Sequence, residues 1–297
     1  MKTARPARRW QLAGLAMAIV VMVAAVAALV ASHQPTRPGQ SGPASQSGSR
    51  IASAAALRSQ AVSWVITQAG QNVSVACDAV TCAGLVTRGF PASNLTVLQP
   101  TAPDPYGGLL VIATADVRSQ FGTKLSSVYA PQVIASFGGG SSRIDIRVVA
   151  SQGPVAFQTS LSADLAARKS SGAQLLRNSR ITVAAGARDQ LTSGHVDSRL
   201  LTTIAFLAGQ HPVDVVGFGG AAAGADSSVP LRTAYLAESD AAAHQSSSAY
   251  VSALEAVLRA QSPPYVPLSF GTVHQPGGQP VLEIQFPAPS PFGLLGS

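Results

Sequence analysis

Val73-Ser74-Val75-Ala76-Cys77-Asp78 reads as a short buried strand that runs straight into a helix cap, and the fold is read outward from it. Upstream, Leu57, Ala61, Trp64 and Val65 stand at i, i+4, i+7 and i+8, so a helix buries one stripe there. Downstream, a helix begins near Asp78 and Gly89-Phe90-Pro91 ends it. Residues 95–98 and 109–113 are two further strands, separated by the turn-rich stretch 100–108. Residues 116–136 carry helical segments interrupted at Pro131. Gly138-Gly139-Gly140 then turns the chain into Arg143-Ile144-Asp145-Ile146-Arg147-Val148, whose strict alternation predicts a strand with one solvated face. Strands alternating with helices predict an open, largely parallel sheet covered by helices.

A second unit covers residues 155–297. Phe157, Leu161, Leu165 and Arg168 predict an amphipathic helix, and Asp197 is placed to cap a helix carrying Leu200, Leu201, Ile204 and Leu207. His211-Pro212 ends that helix before a strand at 213–218. Tyr250, Leu254, Val257 and Leu258 share a face of another helix, with Glu255 and Arg259 paired at i, i+4, and Pro263-Pro264 stops it. The closing strand is 281–286, with Leu282, Ile284 and Phe286 on one face.

Of the 297 residues 46% are hydrophobic and 11% charged, enough apolar material for about two cores. The formal charge of +7 points first to a polyanion partner, but Lys2, Arg5, Arg8, Arg9, Arg37 and Arg50 all precede the folded region. Setting those six aside leaves 14 basic against 13 acidic residues, so nucleic acid is excluded as a partner. Residues 1–11 read as a basic cytoplasmic tail and 12–31 as an uncharged run of roughly 30 Å, long enough to cross a membrane. A cleaved secretory signal ending at Ala25-Val26-Ala27 is the competing reading, and the apolar run continues past that site. Residues 32–50, rich in Pro, Gly, Ser and Gln, read as a linker. The expected fold class is therefore α/β: one transmembrane helix at 12–31, then two extracytoplasmic α/β domains at 51–150 and 155–297.

Cys77 and Cys82 are the only cysteines. In an oxidising compartment an even pair favours a structural disulfide, with two buried free thiols as the alternative. The spacing is not the C-x-x-C of redox enzymes, and no further thiol or nearby histidine completes a zinc site.

The run 61–65, the stretch Val75-Ala76-Cys77-Asp78, the segment 85–90 ending in Arg88-Gly89-Phe90, the strand and turn at 111–118 and the ending 137–147 resemble the soluble extracytoplasmic domain of actinobacterial membrane glycosyltransferases of the protein-mannosyltransferase-like superfamily. The likeness covers residues 51–150 and implies an envelope context with a glycan, a lipid-linked sugar or a membrane glycosyltransferase as partner. It implies no catalytic residue, because that family keeps its catalytic acid in a membrane module. Residues 197–207, 213–218, 229–236 and 281–286 faintly resemble a LAS-type zinc peptidoglycan carboxypeptidase fold. Arg232, Tyr235 and Leu236 stand where that family places a His and an Asp, and Val281-Leu282-Glu283 where it carries H-x-H, which implies a lost metal site.

Other chemical signals each have a plainer reading. Gly217-Phe218-Gly219-Gly220-Ala221-Ala222 matches the loose dinucleotide pattern, but Gly224, Asp226 and Pro230 interrupt the helix it should open, so a surface loop is expected. The turn at 138–142 reads as a tight turn before an anion nest. Asp78 reads as a helix cap before a ligand-binding carboxylate. His195, His211, His244 and His274 follow no metal-binding spacing, and neither G-x-S-x-G nor S-x-x-K occurs. Asn72 and Asn94 begin sequons that matter only in a glycosylating source. The expectation is a membrane-anchored, non-catalytic envelope binding or accessory protein with no catalytic, cofactor or metal residues. An envelope-polymer hydrolase or transferase is the alternative, and it requires groups such as His195, Asp197 or Glu283 to converge with His274 in a pocket.

Overall fold

The structure is a computed structural model that describes residues 43–219, 222–239, 247–274 and 280–295. The chain divides into Met1–Arg50 and Ile51–Ser297, and the second unit holds both sheets. Among the described residues no helix is long and apolar enough to cross a membrane. This corrects the expected fold class: the described residues are α/β with two five-stranded sheets and no transmembrane helix. The run 12–31 lies outside the described residues, as do residues 1–11 and most of the linker. The end of that linker is helical, because α1 spans Pro43–Trp64 and a π-helical turn, Val65–Ala69, follows it.

In the first half, β1 (Val75–Cys77), α2 (Ala79–Thr87) and β2 (Leu95–Val97) form a parallel strand-helix-strand step, and β3 (Leu110–Ala113) joins β1 in parallel on its other side. After α3 (Ala115–Phe121), β4 (Gln132–Phe137) and β5 (Ile144–Val148) form a hairpin. The strand order is β2-β1-β3-β5-β4, with β5 antiparallel to both β3 and β4. The sheet is thus mixed rather than largely parallel. A short turn can only join antiparallel neighbours, and the Gly138–Ser142 region is such a turn. Strand β4 also stands where the sequence predicts the part of the 116–136 helical stretch that follows Pro131.

Both faces of this sheet are buried. Leu110, Ile112, Ile144 and Ile146 pack with Trp64 and Val65 on one side. Val111 and Ala113 pack with Val117, Phe121 and Leu125 on the other. Asp145 and Arg147 lie opposite Ala113 and Val111, on that second covered side, and are 1% and 7% exposed. The face expected to be solvated is therefore a buried charge cluster. Asp145 accepts from Arg143 Nε at 2.6 Å and Ser136 Oγ at 2.8 Å, and Arg147 Nε donates to the Ala130 carbonyl at 2.7 Å.

In the second half, α4 (Pro154–Leu175), β6 (Ile181–Val183), α5 (Ala185–Thr192), α6 (Ser198–Gln210), β7 (Val213–Gly219), β8 (Thr233–Glu238), α7 (Ser247–Arg259), β9 (Ser269–His274) and β10 (Pro280–Gln285) follow in order. Their sheet runs β6-β7-β8-β10-β9, and only the β6–β7 pair is parallel. One apolar cluster gathers Leu200, Ile204, Leu207, Val215, Leu254 and Ile284. On α4 the buried positions include Phe157, Asp164 and Arg168, while Leu165 is exposed, so a buried ion pair sits inside the stripe expected to be apolar.

The two halves meet at Gln68, in the turn after α1. Its carbonyl accepts from Ala288 N at 2.6 Å and Arg232 Nη1 at 3.2 Å, and its side-chain oxygen accepts from Arg232 Nη2 and Gln285 Nε2, each at 3.2 Å. A second seam runs along β4, where Ser136 N donates to the Gly224 carbonyl at 2.7 Å and Asp226 N to the Ile134 carbonyl at 3.0 Å. The segment after β7 thereby covers what would otherwise be an open sheet edge.

Candidate functional site

In an α/β sheet the crevice at the carboxyl ends of the strands, where successive strands diverge, is the natural ligand position. Here that point lies between β1 and β3, and Asp78 stands at it. Asp78 caps α2, accepting from Thr81 N at 2.8 Å and Thr81 Oγ1 at 3.0 Å. Its Oδ2 also accepts from Thr114 Oγ1 at 2.6 Å, across from the end of β3. The carboxylate therefore ties the ends of β1 and β3 together and faces the cleft beside them. That cleft, of about 580 Å³, is walled by Val97, Gln99, Asp116 and Gln120. Gln120 donates its amide to the Gln99 carbonyl at 2.8 Å, so this group is committed too. Beside Asp78, Cys77 and Cys82 are joined in a disulfide with Cα atoms 5.5 Å apart, tying the end of β1 to the first turns of α2.

The residues that a catalytic or metal centre would have needed are dispersed. His195 Nε2 donates to the Ser227 carbonyl at 2.8 Å. Asp197 is fully buried and caps α6, accepting from Arg199 N at 2.8 Å, Arg199 Nη2 at 2.7 Å and Ser290 Oγ at 2.5 Å. Glu283 lies on β10 opposite Tyr235, and His274 ends β9 opposite Pro280. Burial, reinforced by the Glu283 charge, raises the Tyr235 phenol above its ordinary value. Among the described residues no group of three or more His, Cys, Asp or Glu is placed to hold a metal ion. His211 packs edge-on against Tyr250, and His244 lies outside the described residues. In the glycine-rich run, Gly217 and Gly219 belong to β7, the chain turns at Ala223 and Gly224 rather than opening a helix, and Gly220 and Ala221 lie outside the described residues. At 138–142, Arg118 Nη2 donates to the Ser141 carbonyl at 2.7 Å, so the turn presents oxygens to a cation of its own.

Buried charge in this protein holds backbone. Arg199 Nη2 reaches the Pro287 carbonyl at 2.7 Å, Arg232 Nη1 the Phe286 carbonyl at 2.9 Å, and Arg168 Nη1 the Gly194 carbonyl. Burial pushes the Arg232 guanidinium below its ordinary value, with Asp197 the opposing attraction. Burial likewise raises the Asp164 carboxyl, and the Arg168 hydrogen bond at 2.7 Å offsets only part of that cost.

The structure does assemble clefts that no local sequence signal marks. One, of about 610 Å³, lies between β4 and α4 and brings together Arg168, His195, Asp226 and Ser228. A second, of about 540 Å³, runs along α1 and is lined by the hydroxyl and amide groups of Ser59, Gln60, Ser63, Thr67 and Ser136 beside Gly138. A third, of about 400 Å³, opens at the start of α4 against the tail that follows β10. The second and third carry no charged side chain in their linings. No family model, curated protein or solved structure matches the chain.

Proposed function

We propose that the chain is a non-catalytic binding or accessory module of the cell envelope, working outside the cytoplasm on a glycan, a lipid-linked sugar or a membrane glycosyltransferase. The observation that carries this reading is the division of labour among its polar groups. The buried Asp and Arg side chains grip one another and backbone carbonyls, whereas no charged side chain lines the clefts along α1 and at the start of α4, and Arg88 reaches the first only from its edge, donating to Ser59 and Ser63. Along α1, neutral hydroxyls and amides suit a polyhydroxylated ligand, which needs many weak hydrogen bonds and no counter-charge. The Cys77–Cys82 disulfide supports an oxidising compartment.

A second reading, hydrolysis or transfer on an envelope polymer, is favoured by the cleft that gathers Arg168, His195 and Asp226. Against it, Asp226 Oδ1 already accepts from Ser228 N at 2.9 Å and Ser228 Oγ at 2.7 Å, and His195 is turned to a carbonyl. Thermal melting of the full chain with peptidoglycan fragments, neutral oligosaccharides, polyprenyl-phosphate sugars and zinc separates the two. A ligand at a hundredfold its Kd adds about 2.7 kcal/mol. A shift with a sugar ligand recovered intact is expected. A shift with micromolar zinc, or cleavage of the ligand, would overturn the binding reading in favour of the enzyme.

A further inference from the structure

We infer that the groove at the start of α4 holds one hydrocarbon chain of a lipid. The inference rests on the binding-module reading and gives one of its clefts a ligand chemistry. Three distant segments build the walls: the end of β5 with Val148 and Ala150, the first turn of α4 with Phe157, and the tail with Pro291 and Phe292. Phe157 and Phe292 meet edge-on with centroids 5.3 Å apart. The tail is held in place from behind, because Ser290 Oγ donates to Asp197, Arg199 grips the Pro287 carbonyl and Ser198 Oγ lies 3.5 Å from the Pro291 carbonyl. The wall is therefore part of the folded core's polar framework rather than a loose end lying on the surface.

What the groove offers a ligand decides its class. No carboxylate, guanidinium or ammonium lines it, so a charged group entering it would lose its water without compensation. The floor's backbone donors are spent: Val149 N donates to the Leu109 carbonyl at 2.9 Å and Ala150 N to the Tyr129 carbonyl at 2.7 Å. Ser290 is turned to Asp197. A peptide would bring N–H and C=O groups that find few partners there, and a sugar ring would fare no better. An apolar chain gives up no hydrogen bonds on entry and covers the apolar surface that Leu109, Ala156 and Phe292 leave open, Phe157 being already buried behind them. The volume of about 400 Å³ falls at the small end of ligand pockets, which suits a single chain. Neutral groups at the exposed rim, Ser151, Gln152 and Ser160, stand where the chain's polar end emerges.

The test titrates the full chain, in buffer free of detergent and amphiphilic polymer, with 1-alkanols from octanol to tetradecanol and with prenyl alcohols of matched carbon number. Native mass spectrometry reads stoichiometry and the titration reads Kd. One alcohol per chain is expected, with affinity rising about fourfold per added methylene until the groove is full and level beyond that length. Tighter binding of the prenyl series assigns an isoprenoid chain, and tighter binding of the alkanols an acyl or alkyl chain. Ala156→Trp and Ser160→Trp fill the groove from exposed positions one turn apart on α4. Each is expected to weaken alcohol binding at least about tenfold while leaving the unliganded Tm unchanged. Absence of saturable binding, affinity independent of chain length, or tryptophan variants that bind like the parent would overturn the inference. A sugar-induced shift that survives in Ala156→Trp shows that the binding-module reading stands whatever the groove does.

Discussion

Asp145 illustrates what a single carboxylate does here. Burial alone would raise its pKa, but hydrogen bonds from Arg143 and Ser136 and the charges of Arg143 and Arg147 outweigh that cost and hold it below the ordinary carboxylate value. Removing one member of a buried pair strands the other, so Asp145→Asn is expected to cost about 3 kcal/mol at neutral pH in urea unfolding. The sign with pH is fixed by the depressed value: Asp145 binds its proton more weakly in the folded state. Its stabilisation is full above about pH 4 and is lost as pH falls through the folded value. The gap between parent and variant should close in that acid range and stay constant above it. Asp164, raised by burial, works in the opposite sense but is common to both proteins and cancels in the difference. The alternation Ile144-Asp145-Ile146-Arg147-Val148 was legible as a strand with two unlike faces. It could not say that the polar face is covered, because that depends on α3 and the turn after it arriving from elsewhere in the chain.

The contact of α4 with α5 turns on Gly172. It is buried, and a Cβ built on it would run into the carbonyl group of Leu191. Helix propensity alone favours Ala over Gly by about 1 kcal/mol, whereas forcing two backbones apart costs about 1–3 kcal/mol. The clash wins, so Gly172→Ala is expected to destabilise by about 1–2 kcal/mol. Gly186, exposed on α5 with open space around its Cα, should do the reverse, and Gly186→Ala is expected to gain about 0.5 kcal/mol. Chemical denaturation of the pair checks both signs. Elements with strong local signals were readable, as with Asp78 and Asp197, whose side chains cap α2 and α6. The strands β6 and β9 were not: β6 is three residues long, and the residues of β9 are all exposed or intermediate. Strand β4 was hidden because its apolar run follows a helical stretch with only Pro131 between them, and its pairing with β5 is what makes it a strand.

For the molecule as a unit, the junction at Gln68 and the seam along β4 join the two sheets through backbone and amide groups and the Arg232 guanidinium. Such contacts have no compositional signature. The same holds for the clefts: the groove at α4 joins residues near positions 109, 150, 157 and 291, and the cleft with His195 joins 132, 168, 195 and 226. The dispersal of His195, Asp197, Glu283 and His274 among separate partners was equally beyond sequence reading, since pairing is set by register and not by spacing. On the proposed function, the polar residues of this protein hold its shape and its clefts bind without reacting. The most direct measurement incubates the full chain and His195→Ala with peptidoglycan fragments and polyprenyl-phosphate sugars, following bound ligand and every product by mass spectrometry. Ligand retained unchanged, with the same affinity in both proteins, is the expected result. Product formed by the parent chain and lost in His195→Ala would contradict it.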